Sequence, residues 1–82
     1  MTEKKIRILI ADDQTLFREG IKMLLAAQPD MELVGEACDG VEAIELACAL
    51  QPDVLLLDLK MPRKDGLAAL REIAERCSSI HI

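Results

Sequence analysis

Apolar positions along this chain switch repeatedly between two rhythms. Residues 6–11 (Ile-Arg-Ile-Leu-Ile-Ala) form a short, nearly continuous apolar run, which predicts a buried strand. From Leu16 to Ala27 the spacing changes: Phe17, Ile21, Leu24 and Leu25 recur at helical intervals, and Pro29 stands just past the end. Residues 32–37 (Glu-Leu-Val-Gly-Glu-Ala) predict a second strand, shorter and more polar, at a sheet edge. A second helix then opens at Asp39-Gly40-Val41-Glu42. Asp39 is expected to cap its first turn, with Glu42 three residues on as in a capping box. Its inner stripe is predicted as Val41, Ile44, Ala47 and Cys48, and Pro52 ends it.

Residues 53–57 predict a third strand, whose four consecutive apolar residues are the pattern of burial on both faces. Lys60-Met61-Pro62-Arg63-Lys64-Asp65-Gly66 is loop chemistry. Leu67, Leu70, Ile73, Ala74 and Cys77 predict a third helix, which Ser78-Ser79 breaks. Ile80-His81-Ile82 reads as a strand beginning. The order is β-α-β-α-β-α-(β), which implies a parallel sheet with right-handed crossovers and helices on both faces. The fold class expected is therefore α/β, a flavodoxin-like parallel sheet with strand order 2-1-3-4-5 in the complete domain, of which this chain is a partial unit.

Composition narrows the classes of function. The 82 residues make at most one small domain, 51% hydrophobic and 30% charged, with a net charge of −5. An acidic surface argues against this segment gripping nucleic acid by itself, because phosphate backbones are bound by basic patches. The three cysteines (Cys38, Cys48, Cys77) are odd in number and lack a C-x-x-C pair, and His81 is the only histidine. Buried or half-buried reduced thiols in a cytoplasmic protein are the expectation, rather than a zinc site. No apolar run approaches the ~18 residues of a membrane span.

The candidate chemistry lies at the strand ends. The first apolar run stops at Asp12-Asp13 and the third at Asp58. In parallel α/β sheets, ligands bind beyond the carboxyl ends of strands where the strand order reverses, and strands one and three flank that point. Three carboxylates meeting there repel one another unless a cation sits among them. Oxygen ligands of this kind suit Mg²⁺, which keeps much of its shell for water and phosphate. The pattern predicts metal-assisted phosphate chemistry.

Ile10-Ala11-Asp12-Asp13, Leu56-Leu57-Asp58-Leu59-Lys60-Met61-Pro62 and Asp65-Gly66 together resemble the receiver domains of two-component response regulators. Arg18-Glu19-Gly20-Ile21 and Val34-Gly35-Glu36-Ala37 are most similar to the transcription-factor branch with a LuxR/NarL-type helix-turn-helix domain. The resemblance implies that Asp58 accepts a phosphoryl group from a histidine kinase. It also implies that Asp12, Asp13, Asp58 and the backbone carbonyl of Lys60 hold Mg²⁺. It makes residues 1–82 a partial receiver domain, with strand order 2-1-3-4-5 in the complete fold. DNA would be bound only through a C-terminal domain of the parent protein. A receiver assists its own phosphoryl transfer and is not a dedicated enzyme.

The family's strand-four Ser or Thr and strand-five Lys have no counterpart among these residues. With the fourth strand only begun, the apolar third strand would lie near an uncovered edge, and such edges recruit another chain. The expectation is that the isolated chain does not persist as a well-folded monomer but dimerises by pairing strands three and four, swaps elements, or is a remnant of a longer protein. An interaction module without phosphorylation is the alternative function. A phosphatase with a strand-end Asp nucleophile would need a second Asp two residues on, where Lys60 stands. Lys60, Arg63 and Lys64 are read as a solvated loop, and Thr15, Leu16 and Arg18 as a candidate kinase-docking face.

Overall fold

Among the described residues, three parallel strands form the sheet: β1 (Ile6–Ala11), β2 (Met31–Ala37) and β3 (Val54–Leu57), in the order β2-β1-β3. The helices α1 (Thr15–Ala26), α2 (Gly40–Leu50) and α3 (Gly66–Arg76) connect and follow them. This computed structural model describes residues 5–58, 66–76 and 80. The expected loop residues Lys60 to Asp65, together with Cys77, Ser78, Ser79, His81 and Ile82, lie outside them. The 2-1-3 order is the first part of the flavodoxin-like arrangement expected from the sequence, with β1 central.

Alternation along β1 divides the core. Leu9 and Ala11 point to the face covered by α2 and α3, where they pack with Leu55, Ala37, Ile44 and Ile73. Ile8 and Ile10 are buried on the opposite face, beside α1. The α2–α3 layer is built on small side chains: Ala43, Ala47 and Ala69 are all fully buried. Small residues let two helix backbones approach closely, and this sets the phase of α3. Ile73 faces inward as predicted, together with Gly66 and Ala69, whereas Leu67 is half-exposed and Ala74 exposed, contrary to the predicted stripe. In α2 the inner face includes Ala43, which the sequence reading passed over for Val41 and Cys48.

β2 lies at the edge as expected, but with seven residues it is the longest strand, not the shorter one predicted. Its register slips once against β1. Ile8 pairs with Leu33 and Leu9 with Gly35, so Val34 is an extra, bulged residue. The bulge has a consequence for side-chain direction. It places Glu36 opposite Ile10, on the α1 face; regular pairing would have turned its carboxylate into the α2–α3 core. At Gly35 the backbone runs so close beneath α2 that a Cβ would lie 2.9 Å from Leu50 Cδ1 and 3.2 Å from Leu9 Cδ1.

Expectation and structure also part at β3. Only Leu55 is fully buried, while Leu56 is 40% exposed. Among the described residues, β3 borders β1 alone and nothing covers the outer part of its α1 face. An unbroken apolar run records the propensity for burial but not whether both faces have a neighbour.

At the start of α2 the cap forms as predicted: Asp39 is buried and accepts a hydrogen bond from the Glu42 N–H at 2.9 Å. The return half of the box is displaced by one residue. The Glu42 carboxylate accepts from the Cys38 N–H at 2.8 Å and from the Cys38 thiol at 3.1 Å. Cys38 is exposed, against the expectation of a buried or half-buried thiol, whereas Cys48 is half-buried, within that expectation. Its hydrogen bond to Glu42 is the largest influence holding the Cys38 thiol above its ordinary pKa, with desolvation and the nearby carboxylate charges adding to it. The thiolate is therefore scarce near neutrality despite the exposure. Alkylation of Cys38 by iodoacetamide at pH 8, followed by mass spectrometry, is expected to be slow and to speed up in Glu42→Gln. Equal rates would show that the carboxylate does not suppress this thiol.

Candidate functional site

The carboxyl edge of the sheet is fixed by the last rungs of its own ladder. The Asp12 N–H donates to the Ala37 carbonyl at 3.0 Å, which ties the end of β1 to β2. The Asp58 N–H donates to the Ala11 carbonyl at 2.9 Å, which ties the end of β3 to β1. Both aspartates thus leave the sheet side by side from backbones held by hydrogen bonds. Asp13, exposed, completes the group: one ligand oxygen from each of Asp12, Asp13 and Asp58 lies within 4.8 Å of the others. The three carboxylates that the sequence pattern selected are therefore brought together. Lys60 lies outside the described residues.

Asp12 also shapes the turn that follows. Its Oδ1 accepts from the Gln14 N–H at 2.8 Å, which leads directly into α1. Beside the acidic group a cleft of about 570 Å³ runs between α1 and β3. Asp12 and Asp58 stand at one side of it, and Ile10, Phe17, Ile21 and Leu56 supply apolar wall. Phe17, the only aromatic residue, is 52% exposed and belongs to this wall rather than to the core.

One participant was not legible in the sequence as part of this site. Arg18, expected on an outward docking face, folds back with its side chain only 15% exposed. Nη1 donates to the Asp12 carbonyl at 2.6 Å, Nε to Glu36 at 3.2 Å and Nη2 to the Thr15 hydroxyl at 3.3 Å. Lys22 pairs with Glu36 at 3.0 Å and with Glu19 at 2.8 Å. Lys22, and after it Arg18, holds the Glu36 carboxyl below its usual range. This pairing contributes above the ordinary carboxylate pKa and is lost as pH falls through the lowered value. Leu16, by contrast, remains 86% exposed.

The family profile described as "Response regulator receiver domain" matches residues 8–82. The chain belongs to the response regulator receiver domain family. Receivers of known structure superpose closely on it. The response regulator domain of CheB from Thermotoga maritima does so with a TM-score of 0.90 at 40% identity, covering 94% of this chain and 57% of that one. The receiver domain of NarL from Mycobacterium tuberculosis gives 0.85 at 41% identity, over 89% of this chain and 59% of that one. Among curated proteins, the transcriptional regulatory protein DegU of Brevibacillus brevis is 42% identical over 82 residues. That match takes in all of this chain and 35% of DegU, so this receiver spans about a third of that relative's length. The LuxR/NarL-type resemblance of the sequence is thus matched by DegU and NarL as relatives. No helix among the described residues is long and apolar enough to cross a membrane.

Proposed function

We propose that this receiver is a cytoplasmic phosphoacceptor of a two-component system. Asp58 takes a phosphoryl group from a histidine kinase, and Mg²⁺ is held by Asp12, Asp13, Asp58 and the Lys60 carbonyl. The observation that carries the reading is the convergence of three carboxylates at the open carboxyl edge of the sheet. The donor set fits the ion: hard oxygen ligands on one side, and an exposed Asp13 that leaves room for water and phosphate on the other. When bound, the cation would neutralise charge on the phosphoryl oxygens, which is the main demand of phosphoryl transfer. The protein's own part is alignment. The Asp58 backbone is fixed to Ala11, so its carboxylate meets an incoming phosphoryl group from a constant position. Incubation with Mg²⁺ and acetyl phosphate, followed by intact-mass measurement, is expected to show one phosphoryl adduct per chain. No adduct under saturating Mg²⁺ would favour the non-phosphorylated interaction module instead.

The output is proposed to be transcriptional, through a helix-turn-helix domain of the parent protein, by likeness to DegU and NarL. Self-association is proposed at the β3 edge, where Leu56 and the apolar wall of the cleft stand uncovered among the described residues. Sedimentation velocity is expected to show a dimer at micromolar concentration. A single monomeric species there would remove this part of the reading.

A further inference from the structure

The guanidinium of Arg18 lies where it can govern the geometry of the acidic group without touching a ligand oxygen. The carbonyl it binds belongs to the peptide between Asp12 and Asp13, at 2.6 Å, the shortest of its three contacts. Fixing that oxygen fixes the plane of the peptide, and with it the direction in which the Asp13 side chain leaves. The fork is itself held from two sides. Glu36 accepts from Nε and is placed on the α1 face by the bulge at Val34, while the Thr15 hydroxyl accepts from Nη2. Arginine can make such contacts at once because its donors are fixed in one plane; a lysine ammonium on a flexible stem cannot reproduce them.

We infer that Arg18 is a positioning residue for the cation site, acting through the Asp12–Asp13 peptide and itself set by Glu36. The inference rests on the proposed Mg²⁺ role of Asp12, Asp13 and Asp58, and it makes a prediction whose sign opposes simple electrostatics. A cation beside three carboxylates repels a second cation, so removing it by charge alone should tighten Mg²⁺ binding. Removing a positioning contact should weaken it, as loss of residues that orient metal ligands generally does, by ~10-fold or more.

The test is calorimetric titration of the 82-residue chain with Mg²⁺ alone, for wild type, Arg18→Met and Arg18→Lys, with circular dichroism to establish that each is folded. Both variants are expected to bind about tenfold more weakly. The Mg²⁺ concentration giving half-maximal reaction with acetyl phosphate should rise in parallel while the rate at saturating Mg²⁺ is retained. A merely structural role would lower that saturating rate as well. Tighter or unchanged binding in Arg18→Met overturns the inference, and so does wild-type affinity in Arg18→Lys, where charge is kept and the fork lost. Should Arg18→Met not fold, Arg18→Lys decides alone. Failure of the wild-type chain to bind Mg²⁺ would instead remove the cation reading on which the inference rests.

Discussion

Asp58→Asn is expected to abolish the phosphoryl adduct that Mg²⁺ and acetyl phosphate produce on the wild-type chain. The amide has nearly the same shape, but it lacks the anionic oxygen that would attack phosphorus and contributes no charge to a cation. The Asp58 backbone N–H to Ala11 is untouched, so β3 should remain docked and the thermal transition should stay close to that of wild type. Loss of the adduct with an unchanged melt would therefore be a loss of chemistry. An adduct forming on Asp58→Asn at the wild-type rate would place the acceptor elsewhere, and peptide mapping would then be directed at Asp12 and Asp13.

The largest effect on stability is expected at Leu9. It lies in the central strand, is completely buried, and joins Ala37, Leu55 and the two helices of the main core. Leu9→Ala removes apolar contact and leaves a cavity, at a cost of about 2–5 kcal/mol. Domains as a class hold only about 5–15 kcal/mol in total, and one this small belongs at the lower end. The variant is therefore expected to be largely unfolded at 37 °C, read by far-UV circular dichroism during urea titration. Met23→Ala, at a position 77% exposed, should shift the midpoint hardly at all and serves as the control. Equal midpoints for Leu9→Ala and wild type would contradict the core described above.

The sequence carried the architecture well because its signals were local and unambiguous. The apolar run 6–11 coincides with β1, and the first helix is displaced by one residue at each end, Thr15–Ala26 against 16–27. The acidic group was legible for a different reason: strand-end positions in a parallel sheet converge whatever the intervening helices do. What escaped depended on tertiary detail. Helical periodicity alone does not say which small side chain a neighbouring helix will pack against, so the predicted stripe of α3 is right at Ile73 but includes the exposed Leu67 and Ala74 and omits the buried Ala69. Arg18 meets Glu36 across 18 positions only because a bulge turns Glu36 toward α1, and nothing in helical periodicity records a register slip in a distant strand. The adjacent Leu33 and Val34, two apolar residues breaking the alternation, are the one trace of that slip in the sequence.

The helix α1 contains no buried residue. Its Leu16, Met23 and Leu24 can therefore be exchanged with little penalty to folding, since exposed substitutions usually change stability by no more than about 0.5 kcal/mol. The same helix contributes Arg18, which reaches the acid pair from its inner side. One element thus presents a surface free to drift through evolution and a contact that is not. Paralogous copies of such a domain could diverge in what they recognise along α1 while retaining one inherited chemistry at the end of the sheet.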